Sequence, residues 1–242
     1  MGRTVFAWTI GVAYTLFWSS LGIITWPLSP RGELYLSFAR TWSRWILGTL
    51  RIPLSVESKT TLEPDQPYIF MSNHRSIFDI FALFLATEHS LRMVAKRVLF
   101  FIPIFGWALW MCRFIPIDRS NREKAIKSLE SAARKIREGN SVLVFPEGTR
   151  GPGEPLLPFK KGSFMMALRA GVPVVPVVVL GTEDVMEARS LRVGHGAITV
   201  RLGAPISTAN RGTDARDDLM REVRAAMEAL MAEPVAEVVE GK

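Results

Sequence analysis

The stretch NREKAIKSLESAARKIREGNSVLVFPEGTR, residues 121–150, decides the fold. Its first part carries Ile126, Leu129, Ala133 and Ile136 on one stripe, the 3.6-residue period of an amphipathic helix over Asn121 to Glu138, and Gly139 stops it. Val142 to Phe145 is then a continuous apolar run, short enough to be a strand buried on both faces, and Pro146 ends it in a polar turn. A helix, a short loop and a fully buried strand in succession form the repeating unit of an α/β layered fold. Sites in such sheets lie beyond the carboxyl ends of strands, so Pro146 to Arg150 is the first place to look for chemistry.

The same alternation runs outward in both directions. Strands are expected at Pro67 to Ser72, Arg113 to Ile117, Val174 to Leu180 and Ala197 to Arg201. Helices are expected at Ile77 to Thr87, at Lys161 to Ala170 with Gly171 behind it, and from about Asp214 to Met231. Residues 52–232 therefore read as one α/β domain, with residues 1–51 as N-terminal membrane-anchoring helices and 233–242 as a frayed tail. The expected architecture is a layered, mixed and largely parallel sheet flanked by helices, preceded by a membrane-associated helical segment.

Composition narrows the class. Hydrophobic residues make up 48% and charged residues 22% of the 242, which excludes a disordered chain. The single cysteine, Cys112, excludes an internal disulfide and a cysteine-based zinc site. A net charge of +7 suits nucleic acid, anionic lipid or phosphorylated substrates without choosing among them.

No charged residue occurs from Thr4 to Pro30. This run is longer than the apolar stretch of a secretory signal and lacks a convincing cleavage motif, so it reads as retained. Its helical length before Pro27, about 34 Å, would suffice for a bilayer core of about 30 Å, and whether it crosses or re-enters is open. Next, Leu34, Phe38, Trp42 and Trp45 share a helix face opposite Glu33, Arg40 and Arg44. That helix either lies at a headgroup boundary or packs on the main domain. Arg31, Arg40, Arg44 and Arg51 follow the apolar run and only Arg3 precedes it, which leaves the body on the cytoplasmic side. Val98 to Cys112 is uncharged and too short to span; it reads as a core element or as a wall for an alkyl chain.

Of three histidines, His89 and His195 have ordinary explanations in a helix end and a glycine turn. His74 follows a strand in Ser72-Asn73-His74-Arg75-Ser76-Ile77-Phe78-Asp79. Ser76 and Asp79 have capping-box spacing, which starts a helix at Ile77 and lets His74, in the turn before it, fold back onto the Asp79 carboxylate. An imidazole oriented by a carboxylate can deprotonate a hydroxyl, although a helix cap beside a turn histidine has the same spacing. Phe145 to Arg150 offers a second cluster, in which Gly148 lets backbone approach a ligand and Arg150 presents a planar fork to a phosphate; a surface pair of Glu147 with Arg150 is the plainer reading. Phe114 to Arg119 is a strand delivering another arginine to its carboxyl end. Lys160 and Lys161 open the next helix, where positive charge is not favoured by the dipole and hints at an anion, with solvated surface lysines as the plainer reading. No metal-ligand spacing is present.

Taken together, His74 with Asp79, Phe114 to Arg119, Phe145 to Arg150 and Val172 to Pro176 resemble, in order, the four blocks of the HxxxxD glycerolipid acyltransferases. Within that family the chain is similar to the bacterial 1-acyl-sn-glycerol-3-phosphate acyltransferases over residues 52–205. One departure is Ile115-Pro116-Ile117 in the second block, which leaves the polar residues untouched. The resemblance implies transfer of an acyl chain from acyl-CoA or acyl-carrier protein to the hydroxyl of lysophosphatidic acid, with no cofactor and no nucleic-acid partner. It implies His74 as general base and Asp79 as its orienter. Arg119, Glu147, Gly148, Thr149 and Arg150 would shape the acceptor site, with Lys160 and Lys161 as auxiliaries. The implied location is the inner membrane, with the catalytic domain on its cytoplasmic side. Absence of a GxSxG elbow and the apolar setting of Cys112 favour direct attack on the thioester. Alternatives are acylation of another lyso-lipid, a membrane esterase, or a lipid carrier without catalysis.

Overall fold

The computed structural model describes residues 1–29, 32–117, 122–151 and 155–234, with residues 122–127 and 129 described by backbone alone. Arg31, Arg119 and Asn121 lie outside the described residues, as does the tail beyond 234. In chain order the elements are α1 (Gly2–Thr25), α2 (Glu33–Thr49), β1 (Leu54–Ser58), β2 (Ile69–Ser72), α3 (Phe78–Ala86), β3 (Leu91–Lys96), α4 (Phe105–Met111), β4 (Ile115–Ile117) and α5 (Arg122–Arg137). They continue with β5 (Ser141–Val144), α6 (Lys161–Ala170), β6 (Val174–Leu180), α7 (Thr182–Val185), β7 (Ile198–Leu202) and α8 (Arg216–Ala232).

The strands form a seven-stranded sheet in the order β1-β7-β6-β2-β5-β3-β4. Five of them, β6, β2, β5, β3 and β4, are mutually parallel; β7 is antiparallel to β6, and β1 is parallel to β7. The sheet is thus mixed and largely parallel, as the alternating pattern predicts. Side-chain alternation along each strand divides the core in two. Phe70, Leu143, Val175 and Val177 face a cluster built with α1 to α4, whereas Ile69, Met71, Val142 and Val144 face α5, α6 and α8. The central strands β2, β5 and β6 end side by side, so one edge of the sheet gathers the loops that follow them.

Strands β1 and β3 are absent from the sequence reading, and β3 shows why. Its run Leu91-Arg92-Met93-Val94 is interrupted by an arginine that nevertheless has 0% exposure. Arg92 is tolerated there because Nη1 donates to the carbonyls of Gly32 and Cys112, Nε to Asn140 and Nη2 to Glu33. Burial disfavours its charge and pulls its pKa down, with Glu33 opposing the shift. A buried cation that is hydrogen-bonded on all sides reads as surface in a hydropathy pattern.

The helix α2 belongs to the body. Tyr35, Leu36, Ile46 and Leu47 are buried in the core shared with α3, Trp42 meets Phe81 edge to face at 4.7 Å, and Arg40 donates to the carbonyls of Thr87 and His89. Phe38 and Trp42 are thus engaged in packing, while Trp45 of the same stripe stays exposed beside α1. The exposed apolar helix is α1. It is long and apolar enough to cross a membrane, with 17% of its most apolar window buried, and such a surface associates with lipid. It is nonetheless fastened to the body at both ends. Arg3 donates to the carbonyls of Gly194 and Leu50, Trp8 to that of Leu191, and Gly22 lies against the Tyr35 ring.

Candidate active site

His74 sits in the turn after β2, and each of its handles is held. Its Nδ1 lies 2.7 Å from Asp79 Oδ2. The same oxygen accepts the backbone N–H groups of Arg75 at 2.7 Å and Ser76 at 3.0 Å, while Thr182 Oγ1 donates to Oδ1. An oxygen already accepting two N–H bonds leaves Nδ1 to donate, so the neutral ring carries its lone pair on Nε2. Phe145 stacks on the imidazole with centroids 3.9 Å apart and an interplanar angle of 15°. The ring is 17% exposed and Asp79 is 0% exposed, so an accessible base rests on a fully buried carboxylate.

Local sequence accounts for the turn. Ser76 N donates to Asp79 and Phe78 N to Ser76 Oγ at 3.3 Å, so the two side chains tie down the first turn, and α3 begins at Phe78, one residue later than the capping-box spacing predicts. Asn73, fully buried, continues the β2–β6 pairing with its side chain: Nδ2 donates to Val179 O and Oδ1 accepts Val179 N. Thr182 arrives from the other side as the first residue of α7, immediately after β6. Nothing in its own neighbourhood of the sequence marks it; the signal is its position just past the end of a buried parallel strand.

The turn after β5 grips the same histidine. Glu147 Oε1 accepts the His74 backbone N–H at 3.0 Å, and Oε2 accepts Arg75 Nη1 at 3.2 Å and Leu157 N at 2.9 Å. Gly151 N donates to His74 O at 2.8 Å. A Cβ on Gly151 would stand 2.5 Å from Arg75 Nη1, so a larger residue there would push that guanidinium from its place beside Glu147. Glu147 is 1% exposed and its oxygens are taken by the N–H donors of His74, Arg75 and Leu157, which corrects the surface pair with Arg150; its hold on the turn is from beneath.

A groove of about 880 Å³ opens beside His74. Gly148, Thr149 and Arg150 line it with Phe145, Ile77 and Ile80 on the apolar side, and Lys96 and Arg97 line it where β3 ends. Those two cations escaped the sequence reading together with β3 itself; polar residues just past a strand's carboxyl end would have been the signal. Lys160 and Lys161 are exposed outside the groove, and the charge of Lys161 acts on Asp217 of α8. Cys112 is buried and its thiol is pushed up to about 12 by that burial, so it supplies no thiolate near neutral pH.

This geometry brings a hydrogen-bonded His-Asp pair, an apolar wall and a cluster of cations together in one groove. An acyltransferase family model matches residues 53–180, the segment that contains all of these groups. The chain belongs to the acyltransferase family. It is 31% identical to the 1-acyl-sn-glycerol-3-phosphate acyltransferase of Salmonella typhimurium over 240 residues, covering 98% of this chain and 96% of that one. With the protein of the same name from Cocos nucifera it shares 35% identity over 199 residues, 80% of this chain. It spans 63%, 41% and 48% of the Cocos nucifera, Brassica napus and Chlamydomonas reinhardtii relatives. The crystal structure of the 1-acyl-sn-glycerophosphate (LPA) acyltransferase PlsC from Thermotoga maritima has the same fold, with a TM-score of 0.81 at 24% identity and 97% of each chain covered.

For this acyltransferase, Glu147→Gln separates a structural carboxylate from a ligand. An amide cannot accept from all three donors, and the buried Arg75 loses its anionic partner, which costs about 3–5 kcal/mol. The thermal midpoint is expected to drop by several degrees. An unchanged midpoint with a raised KM would return Glu147 to the acceptor site.

Proposed function

We propose that this protein transfers a fatty acyl chain from an acyl-CoA or acyl-carrier-protein thioester to the free hydroxyl of lysophosphatidic acid, forming phosphatidic acid. The observation that carries the reading is the His74 ring, fixed on Asp79 and facing a groove that also holds Arg150. In this mechanism Nε2 of His74 takes the proton of the acceptor hydroxyl as its oxygen attacks the thioester carbonyl carbon. The tetrahedral adduct then collapses, the C–S bond breaks, and the proton held on Nε2 passes to the departing thiolate. Asp79, ringed by donors, stabilises the imidazolium between those steps, and Thr182 acts as a positioning residue by fixing Asp79.

Arg150, Lys96 and Arg97 supply the positive charge that a phosphate monoester requires, and Gly148 and Thr149 shape the turn beside it. Arg119 joins this group by the family resemblance. The names of the bacterial relatives, matched nearly end to end, support lysophosphatidic acid over other lyso-lipids. Because α1 is held to the body at both ends, it lies along one leaflet in this reading, with the body on the cytoplasmic face of the inner membrane.

His74→Ala is expected to leave the protein folded while lowering kcat by about 10²–10⁴. Thr182→Val should lower kcat by about tenfold at unchanged KM, the worth of one hydrogen bond to a charged group, and Thr182→Ser should restore it. Near-normal acyl transfer by the histidine variant removes it from the mechanism; failure of serine to rescue makes Thr182 a packing residue.

Arg150→Ala should raise the KM for lysophosphatidic acid by roughly 10–150-fold, with a smaller effect on the donor, and lysine should rescue in part because it keeps the charge without the fork. A rise confined to the donor KM assigns Arg150 to the thioester instead.

A further inference from the structure

The segment joining β3 to β4 comprises a short 3₁₀ turn, Arg97–Phe101, and α4. Its side chains divide into two sets. Phe100, Leu109 and Met111 are buried. A Cβ on Gly106 would stand 2.3 Å from the Phe100 carbonyl oxygen, so the turn and α4 are pressed together. Outward point Val98, Phe101, Ile102, Trp107 and Trp110, with Phe101 71% and Trp107 55% exposed. Single exposed apolar side chains are ordinary, but this density on one short segment marks a binding surface.

Two observations choose the occupant. The first is continuity: Phe105, Ala108 and Leu109 of α4 close an apolar crevice against Trp18, Ser19 and Gly22 of α1, the helix whose exposed face suits lipid. The second is charge. No acidic residue occurs between Glu88 and Asp118, while Lys96 and Arg97 are exposed where the segment begins, the Arg97 guanidinium 5.9 Å from the centroid of the Phe101 ring. Aromatic side chains bordered by cations and free of carboxylates suit the headgroup boundary of an anionic bilayer. We propose that residues 97–111 are a second membrane-inserting segment, seated in the interface of an anionic bilayer beside α1.

With seven residues, α4 is too short to cross and lies in the interface plane. Val98, Leu99 and Phe101 also line the groove that holds His74. Insertion therefore brings the rim of the groove to the lipid, and an acceptor can keep its tail in the bilayer while its hydroxyl reaches Nε2. That consequence, unlike the insertion itself, rests on the acyl-transfer reading.

The test uses the full chain carrying Trp107→Cys, labelled with an environment-sensitive fluorophore; the buried Cys112, its thiol raised to about 12, stays unlabelled. The probe is read on vesicles of phosphatidylcholine and phosphatidylglycerol containing doxyl-labelled lipid. Blue-shifted emission that the doxyl lipid quenches is the expected result. An unquenched probe on protein that sediments with the vesicles overturns the proposal, as does a probe shielded only when the protein self-associates, which would assign the face to a second copy. A second variant, Ile102→Glu with Trp107→Glu, alters exposed side chains outside the groove. It should lower the rate on vesicle-embedded acceptor by about tenfold or more, yet leave the rate on a short-chain soluble acceptor within about twofold. Equal losses on both acceptors overturn the membrane role. No turnover of either acceptor by the parent protein would sink the acyl-transfer reading and leave the quenching result standing.

Discussion

The buried carboxylate of Asp79 is the constraint on which the site depends. With no exposure it must find all its partners within the protein, because an unpaired charge in that position would cost several kcal/mol. It finds them in three places: the turn after β2, through Arg75 and Ser76; the start of α7 just past β6, through Thr182; and the imidazole of His74. Satisfying one carboxylate therefore fixes the ends of two neighbouring strands and one ring. The third central strand, β5, closes the arrangement from below with Phe145 against the ring and Glu147 on the His74 amide.

The two sides of the sheet serve different surroundings. Toward α5, α6 and α8 the core is mostly aliphatic and methionine-bearing around Phe164, and outside it exposed ion pairs such as Arg169 with Glu130 join the helices. Toward α1 to α4 it is rich in aromatic rings, with Trp18 in contact with both Phe38 and Trp45. The groove opens where this aromatic side meets the ends of β2, β5 and β3, so a polar reacting group and an apolar chain can be served from one rim.

Much of this was readable in the residues. The bounds of α6 and β6 match the expected Lys161 to Ala170 and Val174 to Leu180, because an unbroken period and a glycine stop left one answer. The His74 to Asp79 spacing likewise foretold the turn. What stayed hidden was decided by tertiary contacts. Arg92 disguised β3, and with it went Lys96 and Arg97. Glu147 reads as a surface partner of Arg150 until the buried Arg75 is seen beside it. Of the two tryptophans of α2, Trp42 is taken by Phe81 and Trp45 stays exposed, and the short segment around Trp107 leaves its aromatic faces outside as well.

The most direct measurement of the central claim is the tautomer of His74. With three histidines in the chain, long-range 1H–15N correlation spectra of the protein labelled at the imidazole nitrogens can be assigned by substituting each in turn. The account predicts a neutral His74 ring protonated on Nδ1 with its lone pair on Nε2, and loss of that single tautomer in Asp79→Asn. A ring protonated on Nε2, or one whose tautomer is indifferent to Asp79, would contradict it.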